Sequence, residues 1–140
     1  MAHQQHRIIY DLYALFESSD RQILRTFDLT TTQYAVLLLL DADYGQRLTD
    51  LSTRMVCERS TITRIVDRLE RAGLVRRVPD MIDRRSARAV LTRAGVERRA
   101  DAYAAHARML ERRLSALSET EQHQLAHLLE KLRTGLRQEL

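Results

Sequence analysis

Residues 48–92 read LTDLSTRMVCERSTITRIVDRLERAGLVRRVPDMIDRRSARAVLT, and the spacing of their apolar residues decides the fold. Leu48, Leu51 and Met55 stand at i, i+3 and i+7, which predicts a short helix with Thr49 as its N-cap. After a brief turn, Ile62, Ile65, Val66 and Leu69 repeat at i, i+3, i+4 and i+7, marking a longer helix that Gly73 closes. Leu74 to Val78 is rich in β-formers and is ended by Pro79; Ala89-Val90-Leu91 is a second short apolar run. Between them lies the polar, basic stretch Asp80 to Arg88, so the two runs predict a β-hairpin with an extended tip.

Reading outward, Ile9, Leu12, Tyr13, Phe16, Ile23 and Phe27 recur at roughly helical spacing and predict a long first helix over 6–26. Thr30 and Gln33 form a T-x-x-Q capping box ahead of Tyr34, Leu37 and Leu38. That second helix is expected to stop near Asp43-Tyr44-Gly45, with Gly45 left-handed. On the other side, Thr92 caps a fifth helix whose series Val96, Ala100, Tyr103, Ala107, Leu110, Leu114, Leu117 advances in alternating steps of four and three, a heptad pattern. Ser118 and Glu121 make a second capping box, opening a sixth helix with Leu125, Leu128, Leu129, Leu132 and Leu136. The expected class is therefore mainly α with a small β-hairpin wing: a winged helix-turn-helix over 29–92, between long helical regions at 1–28 and 93–140, where the heptad series of the fifth helix and the leucine stripe of the sixth are more apolar surface than a small winged domain requires and point to dimerisation.

At 140 residues the chain has the size of one ordinary domain. Its 44% hydrophobic and 30% charged residues describe a globular chain, not a disordered one. The longest apolar run, Ala35 to Leu40, is far too short to span a bilayer, and Met1 to Arg7 lacks the apolar core of a secretory signal. One cysteine, Cys57, excludes an internal disulfide and fits a reducing compartment. The expectation is a cytoplasmic protein without a membrane partner. There is no Gly-rich phosphate loop, nucleophile elbow or pair of catalytic carboxylates, so it is not expected to be an enzyme or to need a cofactor.

The formal charge is +4, but its distribution says more. From Arg59 to Arg93 ten arginines face four carboxylates, Asp67, Glu70, Asp80 and Asp83, so this segment is +6 and the remainder of the chain −2. Such a localised field points to nucleic acid. Opposite the apolar face of the fourth helix stand Thr61, Arg64, Arg68 and Arg71, with Arg59, Ser60 and Thr63 toward its N-terminus. An α-helix fits the major groove of double-stranded DNA, where arginine pairs with guanine and hydroxyls reach bases or phosphates. The hairpin tip holds Asp83, Arg84, Arg85 and Arg88; a narrow minor groove attracts arginine, and a bidentate pair with Asp83 would orient Arg85.

At these residues the sequence resembles the MarR family of bacterial transcription regulators. The resemblance lies in Asp80-x-x-Asp83-Arg84-Arg85, in Leu91-Thr92-x-x-Gly95, in Arg59-Ser60-Thr61-Ile62-Thr63-Arg64, and in Asp67-Arg68-Leu69-Glu70-x-x-Gly73-Leu74-Val75. It implies a homodimer that binds a palindromic operator, with the first, fifth and sixth helices as the dimer region. It implies Ser60, Thr61, Thr63 and Arg64 in the major groove, and Arg85 in the minor groove braced by Asp83. The sequence departs from the family at Met55-Val56-Cys57, where glycine is common at the middle position. The function so implied is a sequence-specific regulator, a repressor, whose affinity responds to a small ligand or to oxidation. A nonspecific architectural DNA-binding protein is the alternative.

Three features bear on regulation, and each has a plainer reading. Cys57 lies in the turn before the fourth helix near Arg54 and Arg59; it is a candidate redox site or a small buried hydrophobe. Tyr10, Tyr13, Tyr34 and Tyr103 are a candidate pocket for an aromatic or phenolic ligand, or simply core and interface residues. His123 and His127 stand at i, i+4, but without an evident further ligand they read as solvated side chains, and no metal is expected.

Overall fold

The computed structural model describes residues 1–139; Leu140, the last residue of the expected helical region, lies outside them. The chain divides into two compact units, Met1–His106 and Ala107–Leu140, and each is taken by itself.

The first unit opens with helix α1 (Ala2–Arg25), one turn earlier than expected, because the polar residues before His6 show no apolar period yet contain nothing that breaks a helix. Asp28, left-handed at φ 53°, turns the chain, and the Leu29 amide donates back to the Leu24 carbonyl at 3.1 Å. Helix α2 (Thr31–Leu39) carries the expected capping box: the Gln33 amide donates to Thr30 Oγ1 at 3.1 Å and the Thr30 amide to Gln33 Oε1 at 2.9 Å.

Helix α2 ends at Leu39, short of the expected Asp43–Gly45. The reason is Asp41, whose carboxylate accepts the amides of Asp43, Tyr44 and Gly45 at 2.9, 2.7 and 2.9 Å and so offers the backbone an alternative to helix. Gly45 is left-handed as expected (φ +64°), but it does not cap α2. A Cβ there would lie 2.0 Å from the Ala89 carbonyl oxygen, so glycine is needed for strand-to-strand approach. That approach makes β1 (Gln46–Arg47), a strand too short to show any alternation in the sequence.

Helix α3 (Leu48–Met55) starts one residue before the expected cap. Arg47 holds the N-cap position without a side-chain bond, and Thr49, the expected cap, lies inside the first turn, its carbonyl accepting the Ser52 and Thr53 hydroxyls. Val56 caps the far end in the left-handed region (φ 51°, ψ 52°), which is costly for a β-branched side chain.

Helix α4 (Arg59–Arg71) buries Ile62, Ile65, Val66 and Leu69, as its period predicts. Each such side chain contributes about 1.5–3 kcal/mol on burial. Four of them rival the net stability of a whole domain, so the core sets the roll of α4 about its axis and leaves the other face outward. Gly73, at φ +74°, closes α4 as expected.

Strands β2 (Val75–Pro79) and β3 (Ala87–Leu91) form the hairpin, and the sheet order is β1-β3-β2, all antiparallel. The central strand buries Ala89, Val90 and Leu91 in succession, which is why it reads as an apolar run instead of an alternation. Thr92 caps helix α5 (Arg93–Leu114) through a 3.0 Å bond from the Gly95 amide, and its own hydroxyl donates to the Gly73 carbonyl at 2.6 Å. A Cβ on Gly95 would meet the Leu74 carbonyl oxygen at 2.0 Å, so this start of α5 sits directly on the hairpin backbone.

Within the first unit the inward stripe of α5 runs through Gly95, Arg99, Ala102 and His106, whereas Ala100 and Tyr103 of the expected heptad series face outward. Arg98 donates to the Phe27 carbonyl at 2.9 Å, and Arg99 to those of Leu37 and Leu40, so two guanidinium groups of α5 satisfy the ends of α1 and α2. In the second unit, α5 continues from Ala107 and is followed by α6 (Glu119–Gln138), opened by the expected Ser118–Glu121 capping box. Helix α6 has no buried residue. Among the described residues no helix is long and apolar enough to cross a membrane.

Two predictions follow from the loops around α3. Val56→Gly relieves the left-handed valine, and chemical denaturation should show a gain of about 1 kcal/mol. At Asp41, hydrogen bonds from Gly45 and Tyr44 hold the carboxyl below its ordinary value. Its stabilisation is therefore complete above the ordinary carboxylate pKa of about 4 and is lost as the pH falls through the lower folded value. Asp41→Ala should lower the thermal midpoint at neutral pH, with the difference from wild type closing only below about pH 4.

Candidate nucleic-acid interface

On α4, Arg59, Ser60, Thr63, Arg64, Arg68 and Arg71 are exposed and Thr61 is half-buried, which brings the expected reading residues onto the side away from the core. The Thr63 hydroxyl donates to the Arg59 carbonyl at 3.0 Å within the helix. On the wing, Arg84 and Arg85 are exposed.

The four carboxylates of this basic segment do not dilute its outer face; each is engaged in holding the segment together. Asp67 and Glu70 both grip Arg77 on β2, at 2.5 and 2.9 Å, and Glu70 also accepts the Arg77 amide at 2.9 Å. This clamp ties the reading helix to the first strand of the wing. Asp80, only 2% exposed, lies between Arg47 at 2.6 Å and Arg88 at 3.8 Å. Those two arginines are directly opposite each other in the β1–β3 register. Like charges so placed repel, and the buried carboxylate between them reverses the sign of that contact.

Two expectations are corrected here. Asp83 does not orient the Arg85 guanidinium. Its carboxylate accepts the Arg85 amide at 3.1 Å and the Ser86 hydroxyl at 3.2 Å, so it shapes the turn through the backbone, the short-range bonding that aspartate favours in loops. Arg88 is not a free tip residue. Its guanidinium donates to the carbonyls of Tyr44 and Gly45 at 2.8 and 3.0 Å as well as facing Asp80, because β3 places it at the base of the wing. Arg93, next along, pairs with Glu97. Among the described residues, Arg59, Arg64, Arg68, Arg71, Arg76, Arg84 and Arg85 keep exposed guanidinium groups with no carboxylate partner.

The profile of the MarR family matches residues 29–87. A repressor from Bacillus subtilis, MdtR, is 31% identical over 86% of this chain and 80% of its own length. The chain belongs to the MarR family. YkoM of the same organism, an HTH-type transcriptional regulator, is 39% identical over 71% of this chain; the aligned part covers 65% of YkoM, less than two thirds. Among solved structures, AbsC of Streptomyces coelicolor, a MarR-family transcriptional regulator, superposes with a TM-score of 0.85 at 28% identity, covering 96% of this chain and 93% of that one. In this MarR-family chain the middle of the α3–α4 turn is the left-handed Val56, so the backbone keeps a glycine-like conformation without the glycine.

The candidate regulatory residues are placed as follows. Cys57 is half-buried, packs against the core, and its amide donates to the Ser52 carbonyl at 3.1 Å. Tyr34 is buried in the core edge-to-face with His106, with ring centroids 5.3 Å apart. Burial pushes its phenol up, helped by Tyr103 and Asp20. Tyr103 is exposed and lines an open groove with Leu38, Arg99 and Ala100. Tyr10 and Tyr13 project from the exposed half of α1, so the fold of one chain does not gather the four tyrosines into one box. His123 bonds the Glu119 carbonyl of its own helix at 2.8 Å, and both it and His127 are exposed.

Sequence reasoning missed Arg47, Arg77 and the His106–Asp20 pair, whose Nε2 and Oδ1 atoms are 3.1 Å apart. No period or motif marks these pairings; the partners meet only across elements. Asp80→Asn removes the charge between Arg47 and Arg88 at constant size. It should cost about 2 kcal/mol in urea denaturation and speed hydrogen exchange at the Ile82 and Ser86 amides.

Proposed function

We propose that this protein is a sequence-specific DNA-binding transcription regulator that works as a homodimer. The observation that carries the reading is the sorting of charge just described. Asp67, Glu70 and Asp80 are paired with arginines of the sheet and Asp83 is bound in a turn, while α4 and the wing tip present arginines with no carboxylate partner. Ser60, Thr61, Thr63 and Arg64 are assigned to the major groove, with Arg59 and Arg68 beside them on phosphates, and Arg84 and Arg85 to the minor groove. Arg88 and Asp83 hold the wing in shape. Repression is the favoured direction, supported by the relative named as a repressor.

Pairing of two chains is supported by apolar surface that one chain leaves uncovered. On α1, Ile8, Ile9, Leu12 and Leu15 are 45–68% exposed, and on α6, Leu128, Leu129, Leu132 and Leu136 are 45–62% exposed. Contiguous apolar faces of this kind mark an interface. Residues 1–28 and 93–140 are thus assigned to dimerisation and 29–92 to DNA. Two-fold symmetry then requires two half-sites about one turn of DNA apart. Where a small aromatic ligand modulates binding, the groove at Tyr103 is the assigned place.

Footprinting on the chain's own promoter region tests this directly. A discrete, two-fold symmetric protected site is expected, and uniform coverage would make the protein an architectural binder instead. Arg85→Ala should weaken binding to that site by about 1–3 kcal/mol and reduce the salt slope by about one, and unchanged affinity would remove the wing from the mechanism.

A further inference from the structure

Among the described residues, the most exposed large apolar side chains after Met1 are not on the long helices. They are Met81 at 93% and Ile82 at 87%, adjacent in sequence at the tip of the wing. A single exposed apolar residue needs no explanation, but two together in the loop between β2 and the Asp83–Ser86 turn are unusual, because hairpin loops are ordinarily polar.

Their loop is tied by hydrogen bonds of its own. Asp80 anchors the turn from below, and its Oδ1 accepts the Ile82 amide at 3.2 Å. The Asp80 amide donates to the Ser86 carbonyl at 3.0 Å and the Ser86 amide to the Asp83 carbonyl at 2.9 Å, closing the loop on itself. The apolar pair therefore projects from a hydrogen-bonded loop. Arg84 and Arg85 follow two residues later on the same tip, exposed and without a carboxylate partner among the described residues.

An apolar pair beside two unpaired guanidinium groups matches one partner surface well. The minor groove of duplex DNA is negative along its floor and walled by the apolar faces of the deoxyribose rings, and proteins that enter it combine arginines with apolar side chains. We propose that Met81 and Ile82 form an apolar contact with the minor groove, lying against the sugar walls on either side of the arginine and adding affinity that does not depend on salt. This rests on the reading of the protein as a DNA-binding regulator and adds a residue-specific contact to it. A protein partner for the same surface is the competing occupant. It is disfavoured because the surrounding segment carries six net positive charges in a chain whose total is +4.

The test uses a duplex selected by the full-length wild-type protein from a randomised pool, with affinity measured across a series of salt concentrations. The double variant M81A/I82A should lose about tenfold or more in affinity with the salt slope unchanged, since apolar burial releases no counterions. The double variant M81L/I82V should keep most of the affinity. A thermal melt matching wild type confirms that the variants fold. Affinity of M81A/I82A within twofold of wild type overturns the proposal and leaves the tip to a protein partner. A loss accompanied by a shallower salt slope also overturns it, because the residues then act by positioning the arginines. If the wild-type protein selects no duplex, the reading as a regulator fails together with this contact; if it selects one and M81A/I82A is unaffected, only the contact fails.

Discussion

A buried carboxylate holds the wing to the rest of the molecule. Asp80 faces Arg47 on β1 and Arg88 on β3, two cations that the strand register places opposite one another. Without the carboxylate the register itself would be repulsive. Arg88 in turn donates to the carbonyls of Tyr44 and Gly45, and Gly45 is the residue that lets β1 approach β3 at all. The short strand and the base of the wing thus meet at one charge, next to a loop that Asp41 holds through three backbone amides. Removing it leaves two partly buried guanidinium groups uncompensated, the situation in which a buried ion pair is most costly to break.

A second consequence concerns the electrostatic field. Acidic residues inside a basic segment look like dilution when charges are only summed. In the folded chain, Asp67 and Glu70 pair with Arg77, and Asp80 lies between Arg47 and Arg88, so three of the four anions are engaged by arginines of the sheet. What faces outward is the uncompensated set on α4 and the tip. A field arranged in this way is stronger close to that face than the net charge suggests and is the kind that steers association with a polyanion.

The long helices have the opposite problem. The N-terminal half of α1 and the whole of α6 bury nothing in a single chain, yet each carries an apolar stripe. Their helix signals are strong locally, with regular spacing in both and a capping box on α6, while the packing that stabilises most helices in water is missing. The proposed pairing of chains supplies it.

The sequence by itself determined the elements that local chemistry announces. The Thr30 and Ser118 capping boxes, the inward stripe of α4, the left-handed Gly73 and the Thr92 cap all stand where spacing and side-chain chemistry put them. The concentration of arginine between Arg59 and Arg93 was legible for the same reason, since charge along the chain needs no fold to be counted. Only the tertiary structure decided the roles of individual charges. Whether Arg88 reaches outward or ties β3 to the loop after α2, and whether Asp83 holds a guanidinium or an amide, depends on which atoms lie within about 3 Å. Those neighbours come from residues as far as 44 positions away. The two-residue strand β1 and the inward stripe of α5 were invisible for that reason. Each is set by what it meets across space, and a period read along one element carries no information about the partner on the other side.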